Sequence, residues 1–530
     1  MEAEMIRQVF DLDNTTAEIL YNRGYDNAQD IRYFLNPKLS YLQNPSYIPN
    51  IDKVKGWIDE HMLWGNKILI YGDYDVDGVT SSAILYKAFK DFLNYDNVDV
   101  LISNRFRDGY GLSNRAVDIM KEKGADLIIT LDCGISNHKE IDYANSKDID
   151  VIVIDHHESN NPPDTPFIDL KVESGNYKFI ELSGAGITWK VAQYLTNNKL
   201  HGLLDIVALS TIADVVPLRK ENRVIVKHGL DKINNSSCMG IQMLKTVAGL
   251  RKKLSAGNIG YNVAPLINAQ GRLDDNTRSF KLLTTKNDSE AMFIAKELYQ
   301  INERRKTLTK RAFKEINKSI NKEDSFIVGQ VGVGAGIVGL IAGDLKEEHG
   351  KPTIVFSEPN ENGICKGSGR SVKPLHLKNL LDDLSHLTEG HGGHELACGL
   401  SIHKDNIKEF KFEVLKRTAD IKYRQLKYDL KIDTKDITPR LIRELDIFQP
   451  CGAGNPTPKF LIKGNVTNIN LTTTGEHVIY ELNGVDGIAF SSSHKIDRLM
   501  DNGKVVGTLG FNSYSRGNKN PIQIITKKII

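Results

Sequence analysis

The stretch "VIVIDHHESN" (Val151–Asn160) decides the fold, because a buried strand runs straight into polar, metal-capable side chains. Its apolar, mostly β-branched residues follow three similar runs, "KILIY" (67–71), "VDVLIS" (98–103) and "DLIITL" (126–131). Amphipathic helical patterns, such as "NRAVDIMKEKG", separate these runs. Strands that are apolar on both faces and alternate with helices predict an α/β unit, in which helices cover both faces of a parallel sheet.

Beyond this unit the pattern changes three times. The charged stretch 289–323 predicts a helical connector, and a second, smaller α/β unit begins at "SFIVGQ" and extends to about residue 425. From "KYDLKID" onward, short alternating strands with turn signals predict a small β-barrel, through "FLIKGNVTNINL", "HVIYELNGVDGIAF", "KVVGTLGFNSYSRG" and "IQIITKK". The first 60 residues read as a mixed helical lead-in.

Composition sets limits on the function. A chain of 530 residues is too long for one ordinary domain. The 69 Lys and Arg against 67 Asp and Glu leave a net charge of only +2, so nucleic-acid binding would require a local basic surface. Five scattered cysteines without a CxxC pair favour a reducing compartment. The acidic N-terminus is unlike a signal peptide, and no apolar run approaches the ~18 residues of a membrane span, so we expect a cytoplasmic protein.

Acids and imidazoles collect where the strands end. "GDYDVDG" follows the first strand, "LDCGIS" the third and "DHH" the fourth, and the apolar stretch "LLDIVALSTIADVVPL" carries a further acid. Ligands of an open parallel sheet bind at the carboxyl ends of its strands. The candidates are therefore Asp73, Asp75, Asp77, Asp132, Asp155, His156, His157 and Asp214.

Each of these residues also has an ordinary structural interpretation. A single Asp after a strand is commonly a turn former or a helix N-cap, and three acids in one loop can be a solvated turn. Their convergence on one sheet edge, together with two histidines, instead predicts a metal site, because clustered carboxylates repel without a cation. The mixed imidazole and carboxylate set suits Mn²⁺ or Mg²⁺ better than a closed zinc site.

"GDYDVDGVTS", "LDCGIS", "IDHH" and "STIADVVPL" resemble the four motifs of the DHH phosphoesterase superfamily, in the same order. The resemblance extends to its RecJ branch of single-strand-specific DNA exonucleases, from about residue 15 to the C-terminus. The further similar segments are "FRDGYGLS", "LSGAGITWKVA", "PLINAQGRL", "KGSGRS", "GGHELACG" and "FQPCGAGNPTPKF". The implied fold is a DHH domain, a DHHA1-like domain and an OB-like barrel.

The resemblance implies phosphodiester hydrolysis assisted by two Mn²⁺ or Mg²⁺ ions. Asp132 would bridge the ions, and Asp73 would be a ligand or a partner of the attacking water. His157 would either support a metal ligand from behind or contact the phosphate, where it could donate to the leaving oxygen. Asp155 would orient a histidine. Some relatives have a His at the position of Tyr71, so one ion would have fewer ligands here. The implied metal ligands are Asp73, Asp75, Asp77, Asp132, His156 and Asp214, and the catalytic residues Asp73, Asp132 and His157.

The same resemblance implies substrate contacts outside the acidic cluster. An arginine in "NAQGRL" would clamp a phosphate, since a planar guanidinium suits bidentate contact. "KGSGRS" combines glycines, hydroxyls and cations, a composition that would let backbone amides approach a phosphate. An aromatic ring in "FRDGYGLS" would stack on a base or belong to the core. The residues are Tyr110, Arg272, Lys366, Ser368, Arg370, Gly392, Gly393 and His394.

"GAGIVG" (334–339) matches the dinucleotide-binding pattern G-x-G-x-x-G between a predicted strand and helix, with Glu358 after the next strand. The RecJ-like second domain has a glycine-rich turn at this position, so we do not expect NAD to bind. The family usually shows Trp-His just before that turn, where this chain has Val333 and Gly334. Substrate contacts of the second domain therefore depart from the family pattern.

The predicted function is a 5′→3′ exonuclease specific for single-stranded DNA, acting in DNA repair, recombination or replication, with a helicase and a single-strand-binding protein as candidate partners. Polarity follows from the resemblance alone. The alternatives are a phosphodiesterase for short oligoribonucleotides or cyclic dinucleotides, which generally lacks the barrel, and a non-catalytic replication scaffold, which loses motif acids. The expected domains are 1–60 (lead-in packed on the core), 61–240 (catalytic), 241–323 (helical connector with the NAQGR motif), 324–425 (substrate-binding) and 430–530 (nucleic-acid-binding barrel).

Overall fold

The computed structural model describes every residue except 274–276, 422, 424–427 and 513–521. The chain opens with helices α1 (Ala3–Phe10), α2 (Asn14–Asn22), α3 (Ala28–Leu35) and α4 (Ile51–Leu63). Asp13 and Asn27 cap α2 and α3 by accepting backbone N–H bonds, as these residue types do at helix starts.

The first sheet confirms the predicted parallel architecture. Its described strands are β1 (Ile68–Gly72), β2 (Val98–Ile102), β3 (Leu127–Leu131), β4 (Asp150–Ile154) and β5 (Phe167–Ile168), all parallel in the order β2-β1-β3-β4-β5. The helices between and after them are α5 (Val76–Lys87), α6 (Asn114–Glu122), α7 (His138–Asn145) and α8 (Gly184–Thr196). The carboxyl ends of β1, β3 and β4 are neighbours, which places their following loops side by side.

Both faces of this sheet are covered, which explains why its strands read as unbroken apolar runs. Ile70, Ile129 and Ile152 point into one core with α5 and α8. Leu69 and Val151 point into a smaller core formed with α6 and α7. Each fully buried aliphatic side chain stabilises the fold by roughly 1.5–3 kcal/mol, so the sheet edge that carries the acids is a rigid platform.

Helices connect this unit to the next. They are α9 (Leu204–Ala213), α10 (Lys220–Asn235), α11 (Met239–Val247), α12 (Ala256–Asn258), α13 (Ala264–Leu273), α14 (Thr277–Thr284) and α15 (Asp288–Ser319), with a π-helical turn at Ile259–Val263 between α12 and α13. The 32-residue α15 is the predicted connector, and Asn287 caps its start.

The second unit is a mixed five-stranded sheet with helices on both faces. Its described strands are β6 (Ile327–Gln330), β7 (Thr353–Phe356), β8 (Ile364–Arg370), β9 (Gly390–Gly393) and β10 (Ala397–His403), in the order β6-β7-β8-β10-β9. Among these described strands, only β6 and β7 pair in parallel. Helix α16 (Ala335–His349) packs with α15 on one face, and α17 (Leu377–Asp383) and α18 (Ile407–Thr418) pack on the other.

The third unit contains α19 (Pro439–Glu444), α20 (Ile496–Asn502) and a mixed seven-stranded sheet among the described residues. Its strands are β11 (Leu430–Ile432), β12 (Phe460–Lys463), β13 (Val466–Leu471), β14 (Val478–Leu482), β15 (Val485–Ala489), β16 (Lys504–Phe511) and β17 (Ile522–Ile529). Residues from β12, β14, β15, β16 and β17 share one core, as a barrel requires. The predicted segments "KYDLKID" and "KVVGTLGFNSYSRG" extend into 427 and 513–517, outside the described residues.

The N-terminal helices divide between two units. Ile19, Ile31 and Phe34 belong to the core of the third unit, whereas Ile51 and Ile58 of α4 belong to the core of the first. Within the described part of the chain, no helix is both long and apolar enough to cross a membrane.

Candidate active site

The structure brings acids from the ends of the first and third strands and from the end of α9 together around His156, which follows the fourth strand. Its Nε2 atom lies 3.1 Å from Asp132 Oδ1, 3.6 Å from Asp77 Oδ2 and 3.8 Å from Asp214 Oδ2. Oxygen atoms of Asp73, Asp75 and Asp132 form a second group within 4.8 Å of one another. Asp132 belongs to both groups, which is the arrangement that a bridging ligand between two ions requires.

Polar atoms in this cluster lack the partners that burial normally demands. Asp132 Oδ1 and His156 Nε2 are both buried and make no hydrogen bond to the described residues. Buried polar groups without partners are rare and costly in proteins. Oxygen and imidazole donors held in this way fit a Mn²⁺ or Mg²⁺ ion, which would satisfy them both.

Burial and mutual repulsion raise the pKa values of the carboxyl groups. The pKa of Asp73 rises to about 8 and that of Asp77 to about 6, first through burial and then through the charge of Asp75. Burial and the charge of Asp77 raise the pKa of Asp214 to about 9. Burial lowers the pKa of His156 to about 3, so its ring is a neutral ligand. The cluster is therefore one that a divalent cation would stabilise strongly.

Main-chain groups hold Asp77 in place. Gly184 N–H donates to Asp77 Oδ2 at 2.6 Å, Ala185 N–H donates to Asp77 Oδ1 at 2.7 Å, and the Ser210 hydroxyl also donates to Oδ1. The start of α8 thus points at the carboxylate, where a helix N-terminus favours negative charge. A Cβ atom at Gly184 would lie 3.0 Å from Asp132 Cβ, so glycine permits this close approach. This explains the segment "LSGAG".

The neighbouring acids are also fixed by their backbones. Asp75 caps α5 by accepting from the N–H groups of Asp77 and Gly78. Asp73 accepts from the Ser103 hydroxyl at 3.0 Å, from the end of β2. Asp132 adopts a left-handed backbone with φ 61°, an uncommon conformation for a residue with a side chain and one that functional sites often contain. The acidic cluster is thus preassembled.

Asp155 does not enter the two acid groups but orients its neighbours. Its Oδ1 atom accepts from His156 N–H at 2.7 Å and lies 2.7 Å from His157 Nδ1, while Oδ2 accepts from Ile135 N–H. Burial would lower the pKa of His157, but the hydrogen bond to Asp155 and its charge outweigh this and raise it. The Tyr110 hydroxyl lies 2.9 Å from the same Nδ1 atom. His157 is therefore held from two sides.

Tyr71 contributes to the same loop rather than to the acidic cluster. Its side chain lies in the core with α6 and α7, and its hydroxyl donates to Gly111 O at 3.1 Å. Gly111 adopts φ 90°, and a Cβ there would lie 2.4 Å from Asn137 Oδ1. Where some relatives supply a histidine, this chain therefore supports the turn that carries Tyr110.

Three arginines from distant segments lie near one another, and the charges of Arg105 and Arg272 interact with Asp73 and Asp75 of the acid cluster. The three arginines are Arg272 of α13, Arg370 of β8 and Arg105 of the loop after β2. Burial, then the charges of Arg105, Arg305 and Arg370, lowers the pKa of Arg272 to about 10, and the charge of Asp75 opposes this. Burial, with a smaller contribution from Arg105, also lowers the pKa of Arg370. Like charges gathered in this way form a site for an anion.

The glycine-rich segment 334–339 has a packing explanation. It begins α16, and a Cβ at Gly336 would lie only 2.1 Å from the carbonyl oxygen of Arg272, whose Nη1 in turn donates to Gly336 O at 3.0 Å. A Cβ at Gly339 would lie 3.0 Å from Ser368 Oγ and 3.2 Å from Arg370 Nη2. Gly336 thus lets the second unit approach Arg272 closely, and Gly339 lets α16 pack against β8 within that unit.

"KGSGRS" does not form a phosphate-binding turn of backbone amides. Residues 364–370 are the interior strand β8, paired with β7 on one side and β10 on the other, so its amides serve the sheet. That part of the prediction is wrong because the glycines meet bulky neighbours: a Cβ at Gly367 would lie 2.6 Å from Phe356. Because side chains alternate along a strand, those of Lys366, Ser368 and Arg370 lie on the face of the sheet opposite to the one that Gly367 faces.

The face that carries these side chains is partly bare. Gly392 and Gly399 are exposed and pair directly across β9 and β10, and a Cβ at either would meet no atom within 4 Å. Lys366 lies beside them and donates to Ser401 Oγ at 2.9 Å, while His394 is exposed just after β9. Gly393 has φ 141° and lies against Cys398, so it shapes the hairpin instead of facing solvent.

Sequence reasoning missed contributors that depend on packing. The guanidinium of Arg105 lies 4.3 Å from the ring centre of Tyr74, which belongs to the acid loop. The positive charges in "NRFRDG" are the sequence signal that could have identified Arg105 as a substrate contact. Ser210 lies one turn before Asp214 in a motif already quoted, but only the fold shows its bond to Asp77. Asn268 accepts from Val76 N–H at 3.1 Å and links "NAQGR" to the acid loop.

Family comparisons agree with this organisation. The family model described as the DHH family N-terminal domain matches residues 67–211, that of the DHHA1 domain matches 323–420, and that of the RecJ OB domain matches 428–527. Together they cover the three sheets in chain order.

Relatives match along nearly the whole chain. The single-stranded-DNA-specific exonuclease RecJ of Escherichia coli is 32% identical over 557 residues, covering 96% of this chain and 94% of the relative. The exonuclease RecJ of Bacillus subtilis is 29% identical, and the match covers 96% of this chain and 67% of that relative. The crystal structure of RecJ in complex with Mn²⁺ from Thermus thermophilus superimposes with a TM-score of 0.86 at 26% identity, covering 99% of this chain and 77% of that one.

Proposed function

The chain belongs to the RecJ family of DHH phosphoesterases, and from that premise we propose that it degrades single-stranded DNA from the 5′ end. It is a metal-dependent phosphodiesterase, with Mn²⁺ or Mg²⁺ as its cofactor. The observation that carries the proposal is the buried acid cluster around His156, with a set of arginines near it. A phosphodiester bound between them would contact both.

The proposed metal ligands are the acids and the neutral imidazole of the two groups. Asp77, His156 and Asp214 would hold one ion, Asp73 and Asp75 the other, and Asp132 both. When bound, two divalent cations supply a water of lowered pKa and neutralise charge on the attacked phosphoryl group. The second group has no imidazole, because Tyr71 is turned into the core, so we expect the ion there to bind more weakly.

The other residues would orient substrate and protons. Asp155 favours the protonated imidazole of His157, so His157 Nε2–H is available to donate to a phosphate or leaving oxygen. Asp73 would align the attacking water, because its carboxylate lies at the edge of the cluster beside Ser103. Arg272 and Arg370 would clamp a phosphate, and guanidinium groups suit this through their paired donors. Arg105 would join them.

Substrate contacts in the second unit fit a single strand. The bare glycine face formed by Gly392 and Gly399 lets a backbone approach the sheet, and Lys366, Ser368 and His394 supply polar groups around it. Tyr110, with half of its surface exposed, would stack on a base while its hydroxyl orients His157. The chain binds single-stranded DNA through these features and its OB domain.

Further parts of the proposal concern boundaries and setting. We place the catalytic domain at 61–240, the connector at 241–323, the substrate-binding domain at 324–425 and the barrel at 430–530, after the lead-in 1–60. A cytoplasmic location is supported by five cysteines that are all free thiols. Roles in repair, recombination or replication, with a helicase and a single-strand-binding protein, remain part of the proposal. The barrel argues against the short-substrate alternative, and the intact acids argue against a scaffold.

An exonuclease assay tests the function. A 5′-phosphorylated single-stranded DNA labelled at its 3′ end, incubated with the protein and Mn²⁺, should give a ladder of shortening labelled fragments. EDTA should abolish the ladder, and duplex DNA should remain intact. Cleavage confined to RNA or very short oligomers would contradict the proposal, as would an intact substrate that only shifts on a native gel.

A further inference from the structure

An apolar notch of about 270 Å³ opens beside the last acid of the metal cluster. Three elements form its walls: the end of α9 with the turn that follows, the π-helical turn before α13, and the loop before β12. Among the described residues that line it, no side chain is charged. The residues that matter are Ile212, Val215, Gly257, Gly260, Tyr261 and Cys451.

Two exposed apolar side chains flank the notch. Tyr261 is 84% exposed and lies on the π-helical turn Ile259–Val263, a form of helix that frequently occurs at functional sites. Val215 is 68% exposed and has a left-handed backbone with φ 61°, a strained conformation for a β-branched residue. Strain of this kind is concentrated at sites where function requires it.

The notch and the metal cluster share one turn. Asp214 directs its carboxylate toward His156, and the next residue, Val215, lines the notch. The floor of the notch is open because Gly257 and Gly260 have no side chains there. A Cβ at Gly257 would lie no closer than 3.7 Å to another atom, Ser255 Oγ, and one at Gly260 would lie 3.5 Å from Ile212 Cγ2. A substrate strand in the cluster is therefore adjacent to this space.

The far wall belongs to "FQPCGAGNPTPKF", a segment that the proposed function leaves without a role. Leu218 N–H donates to Ala453 O and Arg219 Nε donates to Gly454 O, both at 2.8 Å. The buried Arg223 fixes the other end of the segment by donating to the carbonyl groups of residues 447–450. The segment thus holds the barrel rigidly against the Asp214 turn.

We propose that this notch binds one nucleobase of the single-stranded substrate where the strand passes from the metal cluster to the barrel, with Tyr261 stacking on that base. The proposal rests on the function given above. Mostly apolar walls without charged side chains suit stacking, which accepts any base. A bound base would also cover the exposed ring of Tyr261.

The test compares substrates that lack a single base. The full-length protein with Mn²⁺ would be given 5′-phosphorylated oligothymidylates, each with one abasic residue at a different distance from the 5′ end. For the unmodified protein, one position should lower kcat/KM for the first cleavage by roughly 10-fold. Tyr261→Ala should lower kcat/KM on the intact strand by a similar factor and lose the penalty at that position. Tyr261→Phe should retain both.

A second variant and a control distinguish a loss of base binding in the notch from misfolding of the variant protein. Gly257→Leu fills the notch while leaving Tyr261 in place, and should behave like Tyr261→Ala. Phe412→Ala removes another exposed ring (65% exposed) from α18, on the far face of the second sheet, and should change nothing. If the unmodified protein cleaves DNA but Tyr261→Ala keeps the same abasic profile, the notch proposal is overturned while the exonuclease function stands. If no protein cleaves DNA, the proposed function itself fails.

Discussion

The acids at the edge of the first sheet and the arginines near them are positioned in opposite ways. Asp77 and Asp132 are buried and lie just beyond the ends of β1 and β3. Main-chain groups of the same domain hold Asp77. Arg272 and Arg370 come from different units, and their approach depends on a glycine contact between helices. The residues for the chemical step are therefore positioned within one domain, whereas substrate affinity depends on how two domains pack against each other.

Removing an acid should therefore affect the chemical step most. Asp132→Asn keeps the shape of the side chain but removes the carboxylate common to both acid groups, so we expect kcat to fall by about 10³-fold or more, with little change in DNA affinity. The same change relieves repulsion among buried acids, so the midpoint of thermal unfolding in EDTA should rise. Steady-state kinetics, a binding titration and a thermal melt measure the three quantities. Asp164→Asn, at an exposed loop position, serves as the control and should match the unmodified protein.

Removing a guanidinium should affect binding instead. Arg272→Lys retains the charge but loses the planar paired donors and the bond to Gly336, so DNA affinity should weaken by roughly 10- to 100-fold with kcat nearly unchanged. Fluorescence anisotropy with a labelled single strand and EDTA would measure it. Arg311→Lys on α15, whose partner is the exposed Glu315, provides the matched control. A fall in kcat with unchanged affinity would contradict the comparison.

A single methyl group should test the contact between the units. In Gly336→Ala the new Cβ would lie 2.1 Å from a main-chain oxygen, so α16 must shift; we expect a destabilisation of about 1–3 kcal/mol and a roughly 10-fold loss of DNA affinity. Gly343→Ala lies on the same helix, where a Cβ meets nothing within 4 Å, and should instead stabilise by about 0.5–1 kcal/mol. Equal effects of the two variants would show that the close approach is unimportant.

The smallest effect concerns pH. Burial raises the pKa values of Asp77, Asp73 and Asp214 to about 6, 8 and 9, from 3.8 in the unfolded chain. The contribution of these three carboxyl groups to the free energy of unfolding of the metal-free protein is therefore fully present below about pH 4, where they are protonated. It is lost as pH rises through about 6 to 9, where the buried groups ionise. Because a cation requires the ionised form, the increase in melting temperature caused by Mn²⁺ should grow over the same range. A pH-independent increase would contradict these assignments.

The fold and the acid cluster were predictable because they follow short-range rules. Apolar runs gave the strands β1 to β4 nearly to the residue, and acids after parallel strands must share an edge. Lys366 and Arg370 were found from a motif, but its backbone amides were misassigned, since nothing local distinguishes a paired strand from a turn rich in glycine. Arg105 escaped prediction because its place beside Arg272 arises only when separate segments pack together. Helices α1 to α3 likewise belong to the barrel core through contacts that no local pattern encodes.

Titration calorimetry with Mn²⁺ in the absence of DNA tests the central claim most directly, because a preassembled acid cluster must bind metal without its substrate. We predict two ions for each chain, one weaker than the other, and loss of this stoichiometry in Asp132→Asn. Two ions bound only after DNA is added, or unchanged binding in Asp132→Asn, would contradict the account.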